Sequence, residues 1–184
     1  MNYKWWILAA ILLFGIGLIL GLVTPTGIAN LISKDIDTAL KEISGMVVPF
    51  SILTFVFIFV KNASALLISF ALSPIFCLVP ILTLTINGWV IALVSASVIQ
   101  EKSVSYLLAG LLPHGIIELP AFIIGEAAAL SFGAMLMLAP FRKKGERLSL
   151  PRLKQNLMYL AIALGLLLPA AIIETFVTPL LLIR

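Results

Sequence analysis

Apolar runs long enough to cross a lipid bilayer dominate this sequence and constrain its fold more than any other feature. The first run, from Trp5 to Val23, contains no charged residue. A helix of about 20 apolar residues spans the hydrocarbon core of a membrane. Of the whole chain 62% is hydrophobic and only 11% is charged, which is too little charge to cover a soluble domain. We therefore predict an all-α, polytopic transmembrane bundle that forms a single integral membrane domain over residues 1–184.

The polar breaks between the apolar runs divide this domain into about five spans. A sixth crossing, formed by the residues before 118, is the main alternative. The five predicted spans lie at about 5–23, 47–72, 75–99, 118–139 and 157–183.

Residues 104–139 contain no Lys or Arg. This apolar run is longer than a single straight crossing of the membrane requires. A continuous helix of this length would extend about 54 Å, well beyond the hydrocarbon core. Pro113, Gly115 and Pro120 interrupt the run, and a proline removes one backbone donor from a helix. We therefore predict a helix break, with a broken or re-entrant helix around 113–120.

Two polar segments fall outside the predicted spans. Residues 28–44 alternate apolar and charged side chains at helical spacing, which predicts an amphipathic helix on the membrane surface. The loop 141–156 holds six of the twelve Lys and Arg residues. This bias predicts a cytoplasmic loop, although basic residues beside a span can also bind anionic lipid head groups. With five crossings, the N-terminus is then cytoplasmic in a multi-pass protein of the cell membrane.

Within the first span, Gly17 and Gly21 form a GxxxG pattern. Such a pair lets two helix backbones approach closely. The partner helix is either another helix of the same chain or the same helix of a second copy.

Several polar side chains lie in otherwise apolar surroundings, where an ionisable group costs about 2.5–3.5 kcal/mol on insertion scales. Groups of this kind usually face the protein interior and find partners there. We predict an intramembrane polar cluster or binding site from six candidates: His114, Glu118, Glu126, Glu174, Asn62 and Asn87.

His114 and Glu118 are four residues apart and share one face if the segment is helical. They could satisfy the backbone groups that the prolines leave without partners, bind a solute, cation or proton, or supply two ligands to a divalent metal. Catalysis is not indicated, because the chain contains no HExxH, G-x-S-x-G or phosphate-loop motif. We expect no enzymatic activity, no cofactor other than that metal, and no nucleic-acid partner.

The segment Pro113-His114-Gly115-Ile116-Ile117-Glu118-Leu119-Pro120-Ala121 resembles the PHGxxExPA signature of the stage II sporulation protein M family of integral membrane proteins. Further matches lie in the family's order and approximate spacing, at Lys61-Asn62, Asn87-Gly88 and the terminal 173–179 stretch. The resemblance therefore covers nearly the whole chain. Glu126 departs from the pattern, which has a small residue there.

The resemblance implies a membrane protein without enzymatic activity of its own. In spore-forming bacteria, the family member anchors a complex with peptidoglycan-degrading proteins during engulfment, and homologues also occur in organisms that form no spores. We therefore expect a membrane scaffold or anchor, with other membrane or cell-envelope proteins and further copies of itself as partners in a homo-oligomer. The alternative is a transporter or channel that uses the intramembrane His and Glu residues.

Overall fold

A computed structural model describes residues 3–25, 27, 48–141 and 150–182, and helix is the only regular secondary structure within them. Two serines mark helix starts. The Ser51 hydroxyl accepts from the backbone N–H of Leu53, and the Ser103 hydroxyl accepts from that of Tyr106. In chain order the helices are α1 (Tyr3–Leu22), α2 (Ile52–Leu72), α3 (Leu78–Glu101), α4 (Val104–Leu138, followed by a 3-10 turn at Ala139–Phe141), α5 (Leu150–Phe176) and α6 (Thr178–Leu182).

Five helical stretches among the described residues are long and apolar enough to cross a membrane, with α4 extended by its 3-10 turn and α5 joined by α6. This confirms the fold class of a polytopic all-α bundle. The last stretch begins at Leu150, ahead of the predicted start at 157. The amphipathic segment 28–44 and residues 142–149 of the basic loop lie outside the described residues. Residues 150–156, which were predicted to belong to that loop, form the first turns of α5 instead.

The predicted helix break around 113–120 is wrong, because α4 is one continuous helix of 35 residues that contains both Pro113 and Pro120. Each proline removes only one backbone donor, and the helices packed around a membrane helix can compensate for that loss. Residues 104–117 therefore belong to the same helix as the predicted 118–139 span, and they form no sixth crossing.

Helix α4 lies at the centre of the bundle, and half of the residues in its most apolar stretch are buried. Its middle is rich in small residues: Ala121, Ala127, Ala128 and Ala129 have no exposed surface. Small residues allow helix backbones to approach closely in lipid, where dispersion contacts drive packing. A Cβ atom added at Gly133 would collide with the backbone carbonyl of Ser73, so α2 and α4 are in close backbone contact.

The GxxxG pattern of α1 packs against α3 of the same chain. A Cβ atom at Gly17 would collide with the Thr85 carbonyl, and one at Gly88 would collide with the Phe14 carbonyl. One at Gly21 would lie 2.6 Å from the Ala92 Cβ. These glycines therefore serve packing within the bundle, which was the first of the two alternatives.

Contacts between helices establish their directions. Asn62 contacts Glu118 and Ser69 contacts Glu126, so α2 and α4 run in parallel. Gly110, near the start of α4, lies next to Leu182 at the end of α6, and His114, further along α4, lies next to Thr178 at the start of α6, so α4 runs antiparallel to the α5–α6 segment. The first half of α4, the first half of α2 and the α5–α6 junction consequently meet at one end of the bundle, which we call the junction end. The start of α5 lies at the opposite end.

Candidate functional site

His114 and Glu118 lie on one face of α4 and point toward the junction end of α5. The His114 Nε2 atom is 3.9 Å from the Glu118 Oε2 atom, and the two side chains are 13% and 28% exposed. The other ring nitrogen, Nδ1, lies 3.4 Å from the hydroxyl oxygen of Thr178 at the start of α6. The imidazole therefore links α4 to the last helix.

Glu118 also connects α4 to α2. Its Oε1 atom accepts a hydrogen bond from the Asn62 amide at 2.9 Å. Since α2 and α4 are far apart in sequence, this bond fixes the relative position of two helices. It also orients the carboxylate, because the second oxygen, Oε2, is then the one that faces His114.

Glu174 approaches the same place from the last turn of α5. One ligand atom from each of His114, Glu118 and Glu174 can be chosen so that all three lie within 4.8 Å of one another. Lys61 is close enough to act electrostatically on both carboxylates. We call the set Asn62, His114, Glu118, Glu174 and Thr178 the polar cluster.

A cavity of about 410 Å³ opens beside the polar cluster. It is large enough for several waters or a small solute, since pockets that bind small molecules begin at about 300 Å³. Three members of the cluster line it, so their polar atoms are accessible from the cavity. Its lining residues are Pro49, Thr54, Ile58, Gly110, His114, Glu174, Thr175, Thr178, Pro179 and Leu182.

Two of the six candidate residues lie elsewhere. Glu126 is two helical turns further along α4 and fully buried, with its Oε2 atom accepting from the Ser69 hydroxyl at 2.6 Å. Asn87 is exposed on α3 and donates to the Thr83 carbonyl of its own helix at 2.7 Å. Thus Asn62, His114, Glu118 and Glu174 come together, whereas Glu126 and Asn87 do not.

Gly115 lies inside the helix, with ordinary packing around it. A Cβ atom there would come no closer than 3.8 Å to another residue, the side chain of Leu111. Tight packing therefore does not require glycine at this position, in contrast to Gly17 and Gly88.

Sequence reasoning missed Thr178, which is 6% exposed and contacts His114. Its hydroxyl also bonds to the Ile173 carbonyl of the preceding turn at 3.3 Å. Threonine is common in apolar helices, so its identity alone gave little signal. Its place in the terminal segment that carries the family resemblance was the available clue.

Known proteins provide independent information on this chain. It matches the stage II sporulation protein M family over residues 10–179. It is also similar to an uncharacterized protein of Methanocaldococcus jannaschii, with 25% identity over 174 residues that cover 94% of this chain and 93% of that protein. No solved structure shows a significant match. The family match includes all or most of each of the five stretches that are long and apolar enough to cross a membrane, and the chain therefore belongs to the stage II sporulation protein M family.

Proposed function

We propose that this chain is a non-enzymatic membrane scaffold that organises a membrane-associated protein complex. The observation that carries the proposal is that side chains of the signature segment join different helices. Glu118 bonds to Asn62 of α2, and His114 contacts Thr178 of α6. Polar contacts of this kind in lipid favour one helix arrangement over others, and a scaffold needs a fixed arrangement to present to its partners.

The junction end is the side on which we propose that partners assemble. Helix α1 runs parallel to α3, since Gly17 packs on Thr85 and Gly21 on Ala92, so Pro25 lies at this end. Val48 precedes α2 at the same end. The chain therefore leaves α1 and enters α2 on the side of the polar cluster. Other membrane or envelope proteins, and further copies of the chain, are the proposed partners.

A crosslinked pull-down from native membranes tests the scaffold proposal. Wild type is compared with His114→Ala and Glu118→Gln at matched expression, and Glu126→Gln serves as the control because it changes a carboxyl of the same helix outside the polar cluster. We expect specific partner proteins with wild type and the control, and their loss or depletion with the two cluster variants. Recovery of the chain alone from wild-type membranes would contradict the proposal.

A transporter or channel is the second candidate, and the cavity beside the polar cluster favours it. Glu174 and His114 both line this cavity, and intramembrane carboxylates that face a cavity commonly mark a solute or proton pathway. Flux of protons or cations into proteoliposomes that contain only the purified chain is the test. Flux that Glu174→Gln abolishes, while Glu126→Gln retains it, would favour transport over scaffolding.

A further inference from the structure

We propose that His114, Glu118 and Glu174 form a binding site for one divalent transition-metal ion of the Zn²⁺ class, inside the membrane at the junction end. These residues combine one imidazole and two carboxylates from two helices. The proposal does not depend on the scaffold function, since a metal could serve a scaffold or a transporter equally.

Among the described residues, hydrogen-bond acceptors of His114, Glu118 and Glu174 converge with no donor between them. The Thr178 hydroxyl donates to the Ile173 carbonyl, so in the Nδ1–H tautomer of His114 the Thr178 oxygen accepts from the ring. The Nε2 atom then carries the lone pair, and it faces Glu118 Oε2 at 3.9 Å, which is too far for a hydrogen bond. Three electron-rich atoms that face one another in a low-dielectric site are stabilised by a cation between them.

Neighbouring groups orient two of the three ligands. Asn62 holds Glu118 through Oε1, which leaves Oε2 directed at His114. Thr178 holds the imidazole through Nδ1, which leaves Nε2 for the metal. Partners of this kind, bonded to the far side of each ligand, are typical of protein metal sites, where they set the tautomer and direction of the ligand.

The distances fit a metal after a small adjustment. The three ligand atoms lie within 4.8 Å of one another, whereas ligands at about 2.0–2.2 Å from a tetrahedral Zn²⁺ are about 3.4 Å apart. Side-chain rotations that move each ligand atom by about an ångström bring the three atoms to this separation. The adjoining cavity provides a route for the ion and space for a water as the fourth ligand.

The ligand set also favours a class of metal. Imidazole suits Zn²⁺, Co²⁺ and similar ions, whereas Ca²⁺ and Mg²⁺ prefer oxygen ligands alone. Two carboxylates neutralise the charge of a divalent ion, and a neutral complex is less costly in lipid than a charged one. Lys61 acts electrostatically on both carboxylates and would be repelled by the bound ion. Because Lys61 is exposed on α2, its long side chain can move the ammonium group away from the ion when the metal binds.

Zinc titration of the purified full chain in detergent tests the site. After chelator treatment, calorimetry and elemental analysis should give one Zn²⁺ per chain. We expect His114→Ala and Glu174→Gln to weaken binding at least tenfold, and Glu126→Gln to bind like wild type. No stoichiometric Zn²⁺ on wild type, or wild-type affinity for Zn²⁺ in both His114→Ala and Glu174→Gln, would overturn the proposal.

A gain of signal protects this test against variants that fail to fold. In His114→Cys loaded with Co²⁺, a thiolate ligand should produce a sulfur-to-cobalt charge-transfer band, which requires the assembled site. Wild type, whose buried Cys77 is its only thiol, provides the background spectrum. A folded His114→Cys that binds one Co²⁺ without producing this band would show that residue 114 is not a ligand.

Discussion

Glu126 has no exposed surface, and among the described residues its carboxyl group accepts a hydrogen bond from one hydroxyl only. The Ser69 hydroxyl donates to Oε2 at 2.6 Å, and the buried Oε1 atom lacks a partner within that part of the chain. A buried carboxyl is costly when its hydrogen-bonding groups are unmatched. The stability of the α2–α4 contact should therefore depend strongly on Ser69.

Ser69→Ala should lower the free energy of unfolding by about 1–3 kcal/mol, the cost of leaving a buried polar group without its partner. Ser64→Ala is the matched control, because the Ser64 hydroxyl bonds to the Lys61 carbonyl of its own helix. Unfolding of the purified variants by SDS titration measures both. Equal stability of the two variants would show that the Ser69 contact contributes nothing.

At the scale of residues, the sequence predicted local relations and not distant ones. The four-residue spacing was sufficient to place His114 and Glu118 on one face of a helix. That Glu174 joins them and Glu126 does not depends on which helix faces which, and on their directions. Every membrane helix here is apolar on most sides, so its sequence alone does not identify its neighbours.

Among the helices, α1 and α3 approach each other closely at glycine residues. Gly17 faces the Thr85 carbonyl with no space for a side chain, whereas a Cβ atom at Gly15 would meet nothing within 4 Å. Two glycines of one helix, two residues apart, therefore have opposite surroundings.

Gly17→Leu should push α1 away from α3 and lower the unfolding free energy by about 1–3 kcal/mol, as overpacking does in tight cores. Gly15→Leu should have little effect and serves as the control. Thermal unfolding in detergent, followed by size-exclusion chromatography, compares the two. If Gly15→Leu is the more destabilising variant, the face of α1 that carries Gly17 does not pack against α3.

Helix α4 shows why the sequence misplaced a helix break. Pro113 and Pro120 are strong helix-ending signals in water, where the exposed backbone can bond to solvent instead. In a membrane the helix is the conformation that satisfies most backbone groups, so it continues through both prolines. The number of crossings was predictable from apolar length, because length is set by the bilayer and not by packing.

For the whole molecule, membrane orientation is the main property that stays a prediction. The basic residues of 141–156 precede or begin α5, whose start lies opposite the junction end. The positive-inside rule places them in the cytoplasm. The junction end, with the polar cluster and its cavity, then lies toward the outer side of the membrane.

Single-cysteine labelling in intact cells tests this orientation. Ser33→Cys should react with a membrane-impermeant thiol reagent added outside, and Ser149→Cys should react only after the cells are permeabilised. Wild type controls for the buried Cys77. The reverse pattern would show that the protein has the opposite orientation in the membrane. Reaction of both cysteines from one side would contradict the odd number of crossings between them, which are α2, α3 and α4.

The scaffold proposal depends most directly on the claim that the signature segment joins α2 to α4 through Asn62 and Glu118. A double-mutant cycle with Asn62→Ala, Glu118→Ala and the double variant measures this coupling as a difference of unfolding free energies in lipid. We predict a favourable coupling of about 0.6–1.7 kcal/mol, as found for hydrogen bonds between membrane helices. A parallel cycle of Ser64→Ala with Glu118→Ala should give no coupling. Additive effects of Asn62→Ala and Glu118→Ala would contradict the claim.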